Sequence, residues 1–340
     1  MAEPGLPHRF VPTSTSWTNA RCGWVLGFAQ ENATTQTALL HTVNGGLTWR
    51  RRAAPEVTVT PFSGHVRVHA ANEEDVLVTN GETVLATHDA AESWHRVELA
   101  DTRPQILVGA VDSGSSTAYA VITSGPDEDR RTRLFSSPVS ETRWEPVPGL
   151  EIPGPSGGSV VVSEEAAFVT LGGGEAAGRY WITEDGRHWQ EKAPPCSEVH
   201  MAPRLALPPG DSAAVFAVCG YQADQPPGHT YKDLKCSVNG APFETLGRAP
   251  APGTTRGLAV PTPFSALLSS VGGGFGFLFR STDAGDSWET ALRREPPSLL
   301  DLDFQDPVRG VVVHGSGTGE HGVVLRTVDG GASWQELPLE

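Results

Sequence analysis

The segment Thr327-Val328-Asp329-Gly330-Gly331-Ala332-Ser333-Trp334 decides the fold, and two earlier segments, Ser281–Trp288 and Thr42–Trp49, closely match it. The carboxyl or amide oxygen of its Asp or Asn can accept hydrogen bonds from backbone N–H groups two or more residues further on. Gly supplies the positive φ that a tight turn needs. The Trp begins the next strand with a large apolar ring. The segment therefore predicts a tight turn between two β-strands.

Weaker copies of this segment fill the rest of the chain. Thr87–Trp94 has Ala91 in place of Gly, Thr183–Trp189 and Ser237–Phe243 are one residue shorter, and Ser137–Trp144 keeps little beyond its ends. The acidic or amide residues expected in the turns are Asn44, Asp89, Asp185, Asn239, Asp283 and Asp329. The closing aromatic residues are Trp49, Trp94, Trp144, Trp189, Phe243, Trp288 and Trp334. Repeats of this length, rich in β-forming and turn residues, are typical of propeller blades.

The sequence thus predicts an all-β protein, a single seven-bladed β-propeller over residues 1–340. Units of about 48 residues use the whole chain as one closed body. Glycine (38) and proline (28) together make up almost a fifth of the residues, which suits a fold with many turns. The expected blades span approximately 10–54, 65–99, 105–149, 158–193, 200–248, 255–293 and 299–339.

The net charge of the chain argues against some classes of binding partner. A formal net charge of −15 argues against nucleic acid and anionic membrane surfaces, and no stretch is apolar and long enough to span a bilayer. The polar segment Met1–Arg9 lacks the features of a signal peptide. We therefore expect a cytoplasmic protein, with export as the alternative if a signal segment has been removed.

Candidate binding residues lie where the innermost strands are expected to begin, on the face opposite the turns. In a closed ring these strand starts converge on one axial funnel. Arg67, Arg204 and Arg256 can form a carboxylate-binding cup there, because guanidinium groups pair with planar anions. His65 and Asp303 are further candidate ligand-binding residues at these strand starts, and Tyr221 and Tyr231 are candidates in the fifth connection between second and third strands, which projects on the same face. The alternative is that the arginines are solvated rim residues or pair with neighbouring acids.

Candidate proton carriers in this funnel are Glu198, His200 and Asp301. Asp301 and Asp303 alternate with leucines, so both should face one side of their strand. If that side is the channel, burial can shift their pKa values and suit them to proton transfer. They can equally be the ordinary lining of a wet channel. His65, His69 and His200 can likewise be hydrogen-bonded strand residues.

The four cysteines leave the redox compartment open. Cys196 precedes the fifth innermost strand and Cys219 ends the second strand of the same blade, so antiparallel pairing allows a disulfide between them. Cys22 and Cys236 belong to different blades, and two unpaired thiols fit a reducing compartment better. No pair of Cys or His has the spacing of a zinc finger, so we expect no metal site, and nothing in the sequence points to a cofactor.

The repeated segment resembles the Asp-box, or BNR, repeat, Ser/Thr-x-Asp-x-Gly-x-Ser/Thr-Trp, and the resemblance covers nearly the whole chain. It implies the propeller fold but leaves the function open. Sialidases with this repeat also have an Arg-Ile-Pro motif and a Tyr–Glu pair. Arg9-Phe-Val-Pro12 has an extra residue, and no Tyr–Glu pair is found. A sialidase is therefore disfavoured.

The resemblance leaves several functions to compare. The first choice is a bacterial natural-product enzyme similar to single-propeller Pictet–Spenglerases, which join an arylethylamine to a carbonyl compound. It implies a small-molecule ligand, a carboxylate-bearing aromatic amine. The alternative is an exported, non-catalytic module that binds a ligand or protein, similar to the photosystem II assembly factor. Glycan hydrolases of the xyloglucanase type usually need two propellers, and this chain has room for one.

Overall fold

The computed structural model describes residues 9–31, 34–57, 66–100, 106–154, 157–173, 176–196, 203–211, 213–221, 225–315 and 322–339. Within these ranges the only helix is a short 3-10 turn at Asp127–Asp129, and no helix is long and apolar enough to cross a membrane. All other regular structure is β-strand.

The strands are numbered in chain order. The first two blades contain β1 Val11–Trp17, β2 Gly23–Glu31, β3 Thr34–Thr42, β4 Arg50–Arg52, β5 Arg67–Ala70, β6 Val76–Thr79, β7 Val84–Thr87 and β8 His95–Arg96. The third and fourth contain β9 Glu98–Leu99, β10 Leu107–Ser113, β11 Thr117–Ser124, β12 Arg131–Pro138, β13 Arg143–Pro153, β14 Gly158–Val162, β15 Ala167–Gly173, β16 Ala176–Thr183 and β17 Gln190–Lys192. The last three contain β18 Arg204–Ala206, β19 Ala214–Tyr221, β20 Tyr231–Val238, β21 Glu244–Arg248, β22 Thr254–Thr262, β23 Ser265–Gly272, β24 Phe275–Ser281, β25 Glu289–Arg294, β26 Leu299–Phe304, β27 Gly310–Gly315, β28 Gly322–Thr327 and β29 Gln335–Leu337.

These strands form seven sheets, each with four consecutive antiparallel strands. The third sheet has one addition, because β9 pairs in parallel with β13 at its outer edge. Strand β1 contacts both β5 and β26, so the innermost strands of blades 1 and 7 close the ring. The prediction of an all-β, seven-bladed propeller is confirmed. In blade 3 the outer strand continues to Pro153, past the predicted end at residue 149, because β12 pairs with residues as far as Pro153.

In the described part of the chain, the core consists of seven clusters of buried apolar side chains, one between each pair of neighbouring blades. Strand geometry explains this division, because successive side chains point to opposite faces of a sheet. In β2, for example, Trp24 and Leu26 enter the cluster shared with blade 2, whereas Val25 enters the cluster shared with blade 7. Both faces of each blade are therefore buried, and the apolar packing holds the ring closed.

The turns between third and fourth strands have a shared hydrogen-bond pattern in blades 2, 6 and 7. In blade 7, the Ser333 N–H donates to Asp329 Oδ1 (2.9 Å), and the Ser333 hydroxyl donates to Asp329 Oδ2 (2.6 Å). The Gly331 N–H donates to Thr327 Oγ1 (2.9 Å). The hydrogen bonds that Asp329 accepts, from the Ser333 hydroxyl first, then from the Ser333 N–H and the Thr327 hydroxyl, lower its pKa to about 2. The aspartate therefore remains ionised at neutral pH and fixes the turn.

Gly331 shows why glycine is needed at the fifth position of this turn. Its φ is +83°, and a Cβ there would lie 2.4 Å from Leu267 Cδ2 of blade 6. Gly330 is also left-handed, at +68°, but its added Cβ would have only ordinary contacts. In blade 6 the position equivalent to Gly330 is Ala284, with a φ of +57°. The fifth position thus sets how closely a turn packs on the preceding blade.

We expect Gly331→Ala to lower the free energy of unfolding by about 1–3 kcal/mol more than Gly330→Ala does. Both variants introduce left-handed strain of about 1 kcal/mol, but only Gly331→Ala also overpacks the blade interface. Chemical denaturation of the two variants measures the difference. Equal losses of stability would contradict the close packing of this turn on Leu267.

Candidate ligand site in the axial channel

The innermost strands of all seven blades line an axial channel, which forms a cavity of about 1720 Å³. Because each innermost strand lies at the free edge of its sheet, part of its backbone and several of its side chains face this space. Five of the sequence-predicted site residues line it: Arg67, Arg204, Arg256, Asp301 and Asp303. The topology therefore brings together residues that are more than two hundred positions apart.

Arg67, Arg204 and Arg256, here called the arginine cup, come from blades 2, 5 and 6. Burial and then the positive charges of Arg204 and Arg256 lower the pKa of Arg67 to about 10. Burial and the charge of Arg256 also lower the pKa of Arg204. The three guanidinium groups are thus close enough to repel one another. Such an arrangement is unfavourable without an anion and favours binding one.

The members of the arginine cup differ in their partners. Arg67 forms an ion pair with Asp301. Arg204 and Arg256 form no hydrogen bond or ion pair with any residue that the structure describes, and both are exposed to the channel. Their ten N–H donors face the space that a ligand can enter. The cup therefore has unused positive charge in a protein whose net charge is −15.

Asp301 lies at an irregularity in β26, where its φ is +48° and the pairing register with β27 shifts. Besides its ion pair with Arg67, its Oδ2 accepts a hydrogen bond from the backbone N–H of Thr15 in blade 1 (3.0 Å). These contacts suit Asp301 to hold Arg67 in place and to link blades 7 and 1.

The same kind of contact links other innermost strands. The backbone N–H groups of Val68, Val162 and Leu205 donate to Ser14 Oγ, Asp112 Oδ2 and Ser159 Oγ at 2.9, 2.8 and 3.2 Å. In each case a side chain of one blade accepts a hydrogen bond from the free strand edge of the next blade. These contacts satisfy backbone donors that would otherwise lack partners at the channel wall.

Further along the channel, towards the turns, lies a second group of polar residues: His69, Asp112, Ser113 and Asp303, here called the acid tier. Burial and, to a lesser extent, Asp303 raise the pKa of Asp112 to about 7, against two backbone hydrogen bonds that lower it. Burial also raises the pKa of Asp303. The His69 Nε2 lies 2.7 Å from Ser113 Oγ and 3.8 Å from Asp112 Oδ1, and burial lowers the pKa of His69 to about 4.

Asp112 and Ser113 were missed by the sequence analysis, which considered only the beginnings of the innermost strands. They lie at the end of β10, on the strand edge that faces the channel. The sequence feature that could have revealed them is the polar pair Asp112-Ser113 at the end of a strand whose other residues are apolar or glycine.

Asp112 and His69 should give opposite pH dependences of stability. Because the pKa of Asp112 is raised to about 7, the folded protein keeps the proton of this carboxyl group more tightly than the unfolded chain does, and the resulting stabilisation is lost as the pH rises through about 7. Because the pKa of His69 is lowered to about 4, the unfolded chain binds the imidazole proton more tightly, and the free energy of unfolding rises between about pH 4 and 6.5. We expect Asp112→Asn to remove the first effect, so its unfolding free energy should increase more steeply from pH 4 to 7 than that of wild type. Urea denaturation across this range measures both profiles, and parallel profiles would contradict the raised pKa.

Three predicted site residues, His65, Glu198 and His200, lie outside the described residues. Tyr221 and Tyr231 do not belong to the channel wall. They face each other across β19 and β20, with ring centroids 4.9 Å apart, and the Arg248 guanidinium lies 4.5 Å from the Tyr231 ring centroid. Arg248 also forms an ion pair with Asp233. The tyrosines therefore lie at the connection between the second and third strands of blade 5, where the sequence analysis places them, and their role in ligand binding stays a prediction.

Cys196 and Cys219 form a disulfide with a Cα–Cα distance of 5.7 Å. It joins the segment before β18 to β19 of the same blade. Cys22 and Cys236 are free; Cys22 is buried, and its Sγ lies 3.3 Å from His41 Nε2. Among the described residues, no group of three or more His, Cys, Asp or Glu side chains is arranged to hold a metal ion.

Comparison with solved structures shows the fold. The chain is similar to YCF48 bound to D1 peptide, at 17% identity and a TM-score of 0.53, over 96% of this chain and 93% of that one. It is also similar to an ulvan lyase, a polysaccharide lyase, at 10% identity and a TM-score of 0.56, over 100% and 95% of the two chains. A third similar structure is the propeller domain of the Trilobed protease from Pyrococcus furiosus, at 9% identity and a TM-score of 0.53, over 97% and 98%.

No family model matches the sequence. No curated protein matches it either. At these identities the structural neighbours support a seven-bladed propeller and nothing finer, since propellers of this shape include binding proteins, peptidases and lyases.

Proposed function

We propose that the axial channel binds a carboxylate-bearing ligand through the arginine cup. The observation that carries this proposal is the state of Arg204 and Arg256, which lie beside Arg67 and have no partner among the described residues. A guanidinium group pairs with a carboxylate through two parallel hydrogen bonds, and such charge-assisted bonds strengthen in a partly desolvated site. A ligand carboxylate would also relieve the repulsion between the three arginines.

The size of the channel is compatible with a ligand larger than a simple carboxylate. Typical small-molecule pockets measure roughly 300–1,000 Å³, and this cavity is about 1720 Å³. An aromatic body can lie below the cup against the apolar wall, which includes Val111, Val161 and Leu302. The finer form of the proposal is a biosynthetic enzyme similar to Pictet–Spenglerases, acting on a carboxylate-bearing aromatic amine.

That enzyme requires a proton carrier near the ligand. Glu198 and His200 remain candidates from the sequence alone, and Asp301 is a candidate whose oxygens already contact Arg67 and Thr15. The acid tier adds Asp112, whose pKa of about 7 suits an acid–base role near neutral pH.

Membership in the Asp-box family is part of the same proposal. The hydrogen bonds made by Asp89, Asp283 and Asp329 in their turns support it.

A second candidate function is non-catalytic binding of a peptide or protein, through a terminal carboxylate in the same cup. The structural neighbour YCF48, which is bound to a peptide, favours it. The disulfide Cys196–Cys219 supports the exported form of this proposal, because disulfides persist in oxidising compartments. Counting the reactive thiols of the denatured, unreduced protein purified from its native host distinguishes two thiols, expected after export, from four, expected in the cytoplasm.

Isothermal titration calorimetry with matched ligands tests the proposal. Tryptophan and tryptamine differ only in the carboxylate, so we expect tryptophan to bind more tightly. α-Keto acids test the carbonyl partner, and one peptide with a free or an amidated C-terminus tests the second candidate. Arg256→Ala should weaken carboxylate binding by roughly 1.5–3 kcal/mol, while Arg248→Ala, on the outer strand β21, should not.

The outcomes separate the alternatives. Tighter binding of tryptophan than of the free peptide supports the small-molecule form, and the reverse supports the peptide form. If no carboxylate binds, or if Arg256→Ala binds every ligand as wild type does, the arginine cup is not the site. Circular dichroism should show that both variants fold, because solvent-exposed arginines such as Arg248 and Arg256 contribute little to stability.

A further inference from the structure

Exposed apolar side chains are concentrated on the face opposite the arginine cup. This turn face comprises the connections between first and second strands and between third and fourth strands. Among the described residues, seven large apolar side chains are exposed, and Leu107 is the only one of them away from this face. The other six are Val43, Leu47, Val238, Phe264, Val308 and Val328.

Five of these six belong to the consecutive blades 6, 7 and 1 and are here called the turn-face patch. Their exposed fractions are 69% for Phe264, 46% for Val308, 61% for Val328, 51% for Val43 and 79% for Leu47. Such exposure is unfavourable in water, and solvent-exposed apolar patches commonly mark interaction surfaces.

Hydrogen bonds hold the loops of the turn-face patch side by side. Within blades, the N–H of Ala284 donates to Phe264 O and that of Gly330 donates to Val308 O, at 2.8 and 3.0 Å. Between blades, Arg280 donates to Gly330 O at 2.9 Å. Similarly, Arg326 donates to Gly45 O at 2.8 Å. The patch therefore has a fixed shape, which a partner can bind with little loss of conformational entropy.

The turn itself does not require apolar residues at these positions. Val328 and Val43 follow the first Ser or Thr of their turns, where blades 2 and 4 have His88 and Glu184. Leu47 precedes the second Ser or Thr, where blade 2 has Glu92 and blade 6 has Asp286. Since polar and acidic residues fit the same positions, turn geometry does not explain the apolar side chains in blades 7 and 1.

The turn face as a whole is strongly negative. Its connections contain fifteen acidic residues and three arginines, and in blades 6 and 7 the acidic residues beside the patch are Asp283, Asp286, Asp306 and Asp329. Hydrogen bonds, chiefly from Ser287 and Ser333, lower the pKa values of Asp283 and Asp329 to about 2, so these carboxylates are charged at neutral pH. This field attracts cationic partners and repels anionic ones.

We propose that the turn-face patch docks a basic, amphipathic segment of another protein. Its apolar side chains would cover Phe264, Val328 and Leu47, and its Lys and Arg side chains would face the acidic connections around them. This proposal does not depend on the channel ligand, because the patch and the arginine cup lie at opposite ends of the innermost strands. Both sites can be occupied at once.

Fluorescence anisotropy with labelled designed peptides tests the proposal at low ionic strength. The probe is an amphipathic helical Lys/Leu peptide, with a Lys/Ser peptide and a Glu/Leu peptide of equal length as comparisons. We expect the Lys/Leu peptide to bind best and the Glu/Leu peptide not to bind. The triple variant Leu47→Ser, Phe264→Ser, Val328→Ser should weaken Lys/Leu binding at least about tenfold, a loss of about 1.4 kcal/mol.

Val238→Ser is the matched control, since Val238 is similarly exposed but belongs to blade 5, and it should leave binding unchanged. Equal binding of the Lys/Ser and Lys/Leu peptides, or of the triple variant and wild type, overturns the proposal. Light scattering tests a second copy of the chain as the occupant. If the wild-type protein self-associates and the triple variant does not, the patch is a dimer interface. If the wild-type protein binds neutral phosphatidylcholine vesicles and the triple variant does not, the patch binds a membrane. Either result overturns the proposal of a basic protein partner.

Discussion

Replacing Trp144 by Ala should lower the free energy of unfolding by about 3–5 kcal/mol. Trp144 is 1% exposed and is among the largest fully buried side chains. It packs between blades 2 and 3, against a cluster that includes Phe135 and Ile122. Because the ring fills space between two rigid sheets, its removal leaves a cavity that the blades cannot easily close.

Two further variants make the Trp144 measurement specific. The buried Nε1 of Trp144 has no hydrogen-bond partner among the described residues, so Trp144→Phe should cost much less than Trp144→Ala. Trp334 is half-buried, so Trp334→Ala should cost less than Trp144→Ala. If the two alanine variants lose the same stability in chemical denaturation, burial of the closing aromatic residue does not determine its contribution.

Lys232→Met should also destabilise the fold, by about 3–5 kcal/mol. Lys232 is fully buried, with 0% of its surface exposed. Its Nζ donates to the carbonyl oxygens of Thr230, Pro250, Ala251 and Pro252, at 3.2, 2.9, 2.7 and 3.1 Å. Burial lowers the pKa of Lys232 to about 8, so the ammonium group is still charged at neutral pH.

The expected size of this effect follows from the carbonyl oxygens that Met cannot satisfy. A hydrogen bond to a charged group contributes about 1.5–3 kcal/mol, and removing the buried charge returns part of that loss. Lys235→Met, on the same strand, is the control and should have little effect. A Lys232→Met protein as stable as wild type in urea would show that the four carbonyl contacts contribute nothing net.

The fold could be predicted because its determinants are local and repeated. The turn at Asp329 needs a particular set of hydrogen-bonding side chains and left-handed residues, and this set recurs at the spacing of a blade. The burial of the closing aromatic residues was harder to predict from the sequence. Trp49 and Trp144 are buried, whereas Trp288 and Trp334 are half-buried, because the depth of each ring depends on the neighbouring blade rather than on its own turn.

The arginine cup could be predicted for a topological reason, since Arg67, Arg204 and Arg256 occupy comparable positions in their blades. The role of Asp301 depends on contacts with Thr15 and Arg67 in other blades, which no local pattern reveals. Asp112 was missed because it lies at the opposite end of its strand. The carbonyl cage around Lys232 is equally hidden, since it depends on the path of residues 250–252 beside β20.

Nuclear magnetic resonance of the arginine Nε–Hε groups tests the carboxylate site most directly. The signals of Arg204, Arg256 and Arg248 are assigned with Arg→Lys variants, and tryptophan, pyruvate and the free-carboxylate peptide are titrated into wild-type protein. We predict that at least one of these carboxylates causes saturable shifts of the Arg204 and Arg256 signals, while the signal of Arg248, which pairs with Asp233, stays unchanged. Saturable shifts confined to Arg248, or no saturable shift of Arg204 and Arg256 with any of the three, would contradict a carboxylate site in the channel.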